Sequence, residues 1–178
     1  MSFSNEVKKE ICRRPAGARH CLLAESAAIM MNAGRIDRAG GVCLEMETDQ
    51  YLAAERFRYL IEEAFGYRLQ IAVRSHHQGN RKKYLLRVQN TDEALRILQA
   101  LKLENEEGSL YEQDLPVNEV LLMSACCRRA FLAGMFLCCG TMSTPEKNYH
   151  LEFVCSCPER AGQLASVMSF FELGPRIV

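Results

Sequence analysis

Two sets of side chains in this sequence could do chemistry. Between Gly66 and Asn90 lie six cations and no acid: Arg68, Arg74, Arg81, Lys82, Lys83 and Arg87. Cations on paired strands suit the phosphates of double-stranded DNA, where they hold backbone rather than read bases. The competing reading is a solvated hairpin, since edge strands carry charge against aggregation. The second set is thiols. The chain has nine cysteines, including Cys126-Cys127, Cys138-Cys139 and Cys155-x-Cys157. Thiolates favour zinc or copper over magnesium. A four-thiol zinc site usually announces itself as C-x-x-C pairs, and adjacent cysteines on one helix point about 100° apart. These cysteines sit in apolar runs, and reduced cysteine packs as a small hydrophobe. They are therefore read as core, with no metal and no cofactor assigned. His76-His77 has neither acid nor cysteine beside it and is read as surface. His150 opens a strand and is read as a polar contact on its open face.

The elements that position these groups show a repeat. Glu119 to Gly140 reads as one buried helix with Val120, Met123, Cys127, Ala130, Gly134, Leu137 and Cys138 on its apolar face. Ala130, Gly134 and Cys138 form a small-residue row that lets another backbone come close. His20 to Gly34 is an earlier counterpart, with Ala24 and Ala28 four apart. Each helix ends at a glycine read as a helix stop. A short strand, a turn and a strand follow in both copies, the second strands holding Leu44-Glu45 and Leu151-Glu152. A helix comes next, from Gln50 to Phe65 and from Pro158 to Phe171. Five elements in register indicate an internal duplication.

Around this repeat, Ser4 to Arg13 reads as a basic helix capped by Ser4. A strand is expected from Tyr67 and a returning strand from Lys83, with the cations on the face away from the core. Glu45 and Glu47 share that open face. Asp49 is expected to cap the helix from Gln50, and Thr91 or Asp92 the helix ending near Leu101. Six acids and no base run from Leu103 to Glu119, in a stretch read as a linker.

Leu132 to Gly140, LAGMFLCCG, resembles the LAGLIDADG motif of homing endonucleases, and Ser26 to Gly34, SAAIMMNAG, resembles a degenerate first copy. The opening MSFSNEVKKEI and the run CCRRAFLAGMFLCCGTMSTPEKNYHLE resemble the WhiA family, regulators of sporulation and cell division in Gram-positive bacteria. The resemblance covers nearly the whole chain. It implies a two-repeat endonuclease-like domain followed by a DNA-binding helix-turn-helix domain, which these residues do not contain. An active enzyme of this type would carry an acid before the final glycine of each motif, so that two carboxylates hold a divalent metal. The matching positions here are Ala33 and Cys139, so no catalytic residue is assigned.

The 178 residues, 48% apolar and 25% charged with zero net charge, suit a globular domain with a real core. No apolar run reaches membrane-spanning length, and the charged N-terminus lacks a signal-peptide core, which points to the cytoplasm and away from a membrane partner. The expected fold is α+β. Two αββαββα pseudo-repeats place curved antiparallel sheets around two central packed helices. The expected divisions are 1–102 for the N-terminal helix and first repeat, 103–118 for the acidic linker, and 119–178 for a second repeat that is incomplete. Its third strand is expected to begin at Pro175. The expected function is that of a noncatalytic, DNA-associated transcriptional regulator domain that binds duplex DNA either alone or only alongside the helix-turn-helix domain. The alternatives are a module that docks a protein partner or that second domain and, more remotely, an active endonuclease.

Overall fold

A computed structural model describes residues 2–75, 82–103, 116–144, 146 and 150–178. His76, His77, Arg81 and most of the acidic linker lie outside the described residues. At the centre, helix α2 (Arg19–Ala33) packs along helix α5 (Ala125–Cys139). Their small residues permit this. Ala24, Ala27 and Ala28 are fully buried. A Cβ placed on Gly134 would stand 2.7 Å from the Glu25 carbonyl oxygen and 2.9 Å from the Ala28 Cβ, so the row does let the backbones close together.

The helix expected from Glu119 is shorter. Glu119–Leu122 form a 3-10 turn, Ser124 is extended at φ −99° and ψ 150°, and α5 starts at Ala125. That break resets the helical phase. Leu121 and Leu122 turn inward, while Val120 and Met123 are 60% and 77% exposed, against expectation.

The glycines end α2 and α5 as expected, though neither does so in the left-handed conformation. Gly34 and Gly140 have φ of −86° and −88°. A Cβ at Gly140 would come within 2.7 Å of the Phe136 Cα, and one at Gly34 within 2.5 Å of the Met30 carbonyl oxygen. The chain folds back onto the last helical turn there, and only a hydrogen fits.

After α2 come β1 (Gly34–Asp37), β2 (Cys43–Thr48), α3 (Tyr51–Phe65), β3 (Ala72–Ser75), β4 (Lys82–Val88) and α4 (Thr91–Ala100). After α5 come β5 (Gly140–Met142), β6 (Leu151–Phe153) and α6 (Pro158–Phe170). The first half thus completes α-β-β-α-β-β-α, and the second repeats its first four elements. The first sheet is antiparallel in the order β1-β2-β4-β3, and β5 pairs with β6. This is the expected α+β class. The fully buried Ile29, Leu44, Met46, Phe57, Leu60, Leu86 and Phe131 lie in one core that joins the central helices to the first sheet.

Local departures have local causes. The strand expected from Tyr67 begins only at Ala72; Tyr67, Leu69 and Ile71 pack on the core without strand pairing. Residues 175–178 form no strand. Asn90 caps α4 by accepting from the Glu93 N–H, in place of Thr91 or Asp92. Gln50 rather than Asp49 precedes α3, and makes no side-chain cap. Helix α1 (Phe3–Arg13) is capped by Ser2, not Ser4. Ser4 instead donates from Oγ to the Met142 carbonyl at 2.8 Å and accepts from the Met142 N–H at 2.7 Å. One hydroxyl thereby satisfies both backbone groups of a β5 residue.

Candidate functional site

The two motif ends meet. Ala33 and Cys139, each the last residue of its helix, line one groove of about 520 Å³ with Asn32, Glu47, Asp49, Lys83, Cys138 and Cys155. Asn32 fixes the helix ends, donating from Nδ2 to the Ala28 carbonyl at 2.8 Å and to the Met135 sulfur at 3.1 Å. Cys139 Sγ donates to the Met135 carbonyl at 3.2 Å. Burial, reinforced by neighbouring Cys155, pushes the Cys139 thiol up to about 12. It is therefore a neutral thiol at pH 7, and neither a neutral thiol nor a methyl group is a ligand for a hard divalent cation.

Two carboxylates border the same groove. Glu47 is already engaged, at 2.6 Å from Lys83 Nζ and 3.8 Å from Arg74. The Lys83 hydrogen bond holds its carboxyl below the usual range. Asp49 accepts from the Gln50 side chain at 3.2 Å and is exposed. No cluster of three potential ligands forms at this junction among the described residues.

The basic set divides once it is placed on the sheet. Arg74, Lys83 and Arg87 share the open face with Glu45 and Glu47, as the alternation required. Cross-strand register puts Arg35, Glu45 and Arg87 in one row. The Glu45 carboxylate, whose side chain is only 3% exposed, accepts from Arg35 on one side and lies 2.6 Å from Arg87 on the other. Arg68 precedes β3 rather than lying on it, and pairs with Glu62 at 3.2 Å. Lys82 sits opposite Ser75 at the end of the pair, exposed, with no ion pair among the described residues. The face is thus a mixed-charge ladder in which Arg74 and Lys83 share Glu47 at the far end of the hairpin, with exposed Lys82 next to them on the other side of the strand. Exposed pairs are worth about 0–1 kcal/mol, so Lys83 and Arg74 can exchange partners at little cost. Arg87 is held more firmly, because Glu45 is buried and shares its carboxylate between Arg35 and Arg87.

Two features escaped the sequence reading. The first is a buried ion pair in which Arg56 of α3 donates to both oxygens of Glu25 on α2, at 2.8 and 3.0 Å, and to the Arg14 carbonyl at 2.8 Å. The second lies at the N-terminal ends of α2 and α5. There the ligand atoms of His20, Cys21, Cys126 and Cys127 all fall within 4.8 Å of one another. Cys126 is exposed, contrary to its assignment to the core. The signal was present in the repeat: the offset that carries Gly34 to Gly140 carries Ala33 to Cys139, Ala28 to Gly134, and His20-Cys21 to Cys126-Cys127. No spacing rule within one helix could have found it.

Comparison with known proteins agrees with this architecture. The family described as "WhiA N-terminal LAGLIDADG-like domain" matches residues 19–104, and "WhiA LAGLIDADG-like domain" matches residues 128–178. A "Probable cell division protein WhiA" from Lachnoclostridium phytofermentans is 36% identical over 100% of this chain and 58% of its own length. One from Lachnospira eligens is 33% identical over 100% of this chain and 56% of its own. The chain spans a little over half the length of these curated relatives. A crystal structure of the N-terminal LAGLIDADG domain of DUF199/WhiA superposes with a TM-score of 0.66 at 20% identity, covering 99% of this chain and 78% of that one. Full-length DUF199/WhiA from Thermatoga maritima gives 0.64 at 19% identity, covering 97% and 51%. At that identity the likeness speaks to the fold alone. No described helix is long and apolar enough to cross a membrane.

Proposed function

The chain belongs to the WhiA family through its LAGLIDADG-like region, and from that premise we propose that it is a noncatalytic regulatory domain acting on duplex DNA in cell division or sporulation. The observation that carries the noncatalytic half is the pair of helix tips, where Ala33 and the protonated Cys139 stand in place of metal-binding acids. With no acid at either helix tip and Glu47 already held by Lys83, the groove lacks the facing pair of free carboxylates that would hold an ion to polarise a phosphate and activate water. The DNA half rests on the hairpin end, where Arg74, Lys82 and Lys83 are exposed. Arg81 belongs to the same run. Arg87 is committed to Glu45 and is left out of the contact surface.

Fluorescence anisotropy with a labelled duplex, repeated across salt concentrations, tests this reading. Three phosphate contacts give a slope of about −2.7 in log K against log salt. Lys82→Glu with Lys83→Glu should weaken binding across all sequences alike, because the contacts are to backbone. Unchanged binding in that double variant removes the hairpin from the interface. Strand cleavage that needs magnesium would overturn the noncatalytic assignment.

A second reading has its own support. Glu45 and Glu47 neutralise half the ladder, and a mixed-charge face suits a protein surface better than a polyanion. On this reading the sheet docks a protein partner or the helix-turn-helix domain of a longer chain. Binding that survives high salt and involves no DNA would favour it.

A further inference from the structure

We infer that His20, Cys21, Cys126 and Cys127 form a tetrahedral site for a zinc ion, which clamps the N-terminal ends of the two central helices. The ligand set is one imidazole and three sulfurs, a combination typical of structural zinc. His20 Nδ1 faces all three sulfurs, at 3.1 Å from Cys127, 3.4 Å from Cys21 and 4.0 Å from Cys126. Ligands 2.3 Å from a tetrahedral zinc stand about 3.8 Å apart, so closing the site needs only small side-chain movements.

Three further observations support the assignment. Ser124 sits at the N-cap of α5, yet its hydroxyl makes no cap hydrogen bond and is 3.2 Å from Cys127 Sγ. Serine at that position ordinarily accepts from a backbone N–H of the first turn, so here its hydroxyl is drawn to the sulfur cluster instead. The electrostatics also favour the ion. Parallel helices bring two positive helix ends together, and three thiolates around a dication leave one net negative charge between them. Access is open: Cys21 and Cys126 line a surface cleft with Arg14 and Arg129.

The duplication explains how such a site arises. Helices related by a pseudo-twofold axis juxtapose their equivalent positions at both ends. At one end these are Ala33 and Cys139, and at the other the dipeptides His20-Cys21 and Cys126-Cys127. The end where endonuclease-type acids would sit carries a methyl and a thiol, and the opposite end carries an imidazole and three thiols.

The test uses the reduced full chain, stripped of metal and titrated with Co²⁺ and then Zn²⁺. Tetrahedral cobalt–thiolate bands should appear at one ion per chain and be displaced by zinc. Saturating zinc should raise Tm by about 5–10 °C. Cys126→Ser removes an exposed ligand without disturbing the core, and should weaken binding by about 100-fold or more, beyond the loss typical of an outer partner. Cys43→Ser, on β2, should bind as the unaltered chain does. The assignment falls if folded, reduced chain yields no thiolate bands, if Cys126→Ser with Cys21→Ser binds as tightly as the parent, or if the reduced chain holds Co²⁺ only through oxygen and nitrogen.

Discussion

A buried charge is the least forgiving residue-scale feature of this protein. Arg56 and Glu25 have side chains only 4% and 6% exposed and satisfy each other in a two-pronged pair. Removing one partner leaves the other uncompensated, so Arg56→Ala should cost about 3–5 kcal/mol in urea unfolding, while Glu25→Leu with Arg56→Met should recover most of it. Glu47 supplies a pH-dependent counterpart. Lys83 holds its carboxyl below the ordinary 4.5. The stabilisation is therefore complete above that value and disappears as pH falls through the depressed one. In Lys83→Ala, carboxyl NMR should show the Glu47 titration moving up toward 4.5. Neither pairing could be read from the sequence. Arg56 lies on a helix rich in charge, and nothing in its neighbours distinguishes an arginine aimed at a buried glutamate from one in solvent. Glu45 and Glu47 were placed on the correct face by alternation, but their partners depend on register, which alternation leaves open.

At the scale of elements, the close approach of α2 and α5 is set by one hydrogen atom. Gly134→Ala would push against the Glu25 carbonyl and the Ala28 methyl, and should destabilise by about 1–3 kcal/mol. Gly162→Ala in α6 meets nothing within 4 Å, so helix propensity alone acts there and should stabilise by up to about 1 kcal/mol. Paired thermal melts of the two variants separate crowding from propensity. Both central helices, both following hairpin strands and the helix after each hairpin, α3 and α6, were legible because apolar period and glycine positions agree. The failures cluster where one residue changes the phase. Extended Ser124 breaks the run that apolar content alone joined to Glu119. The strand from Tyr67 loses its first residues because packing on the core satisfies their side chains without a ladder.

For the whole molecule, the duplication sets most of the architecture. It puts equivalent positions side by side, and it leaves the β1-β2-β4-β3 sheet with β3 on an edge whose residues are all exposed. Native-state hydrogen exchange should therefore be slowest in α2 and α5 and fastest in β3. The repeat was visible in the sequence, and with it the fold class. The thiol and imidazole quartet was not, because its members come from both copies and acquire meaning only once the copies touch.

The bond from Ser4 to Met142 has a consequence for how the chain is born. It spans 138 positions, so at roughly 5–20 residues per second the ribosome delivers the second partner about 7–28 s after the first. During that interval the opening helix can rest on α3, where Cys12 donates to the Leu52 carbonyl, but its bond to the strand is not yet made. The last turn of the tether is tied only when the duplicated half emerges.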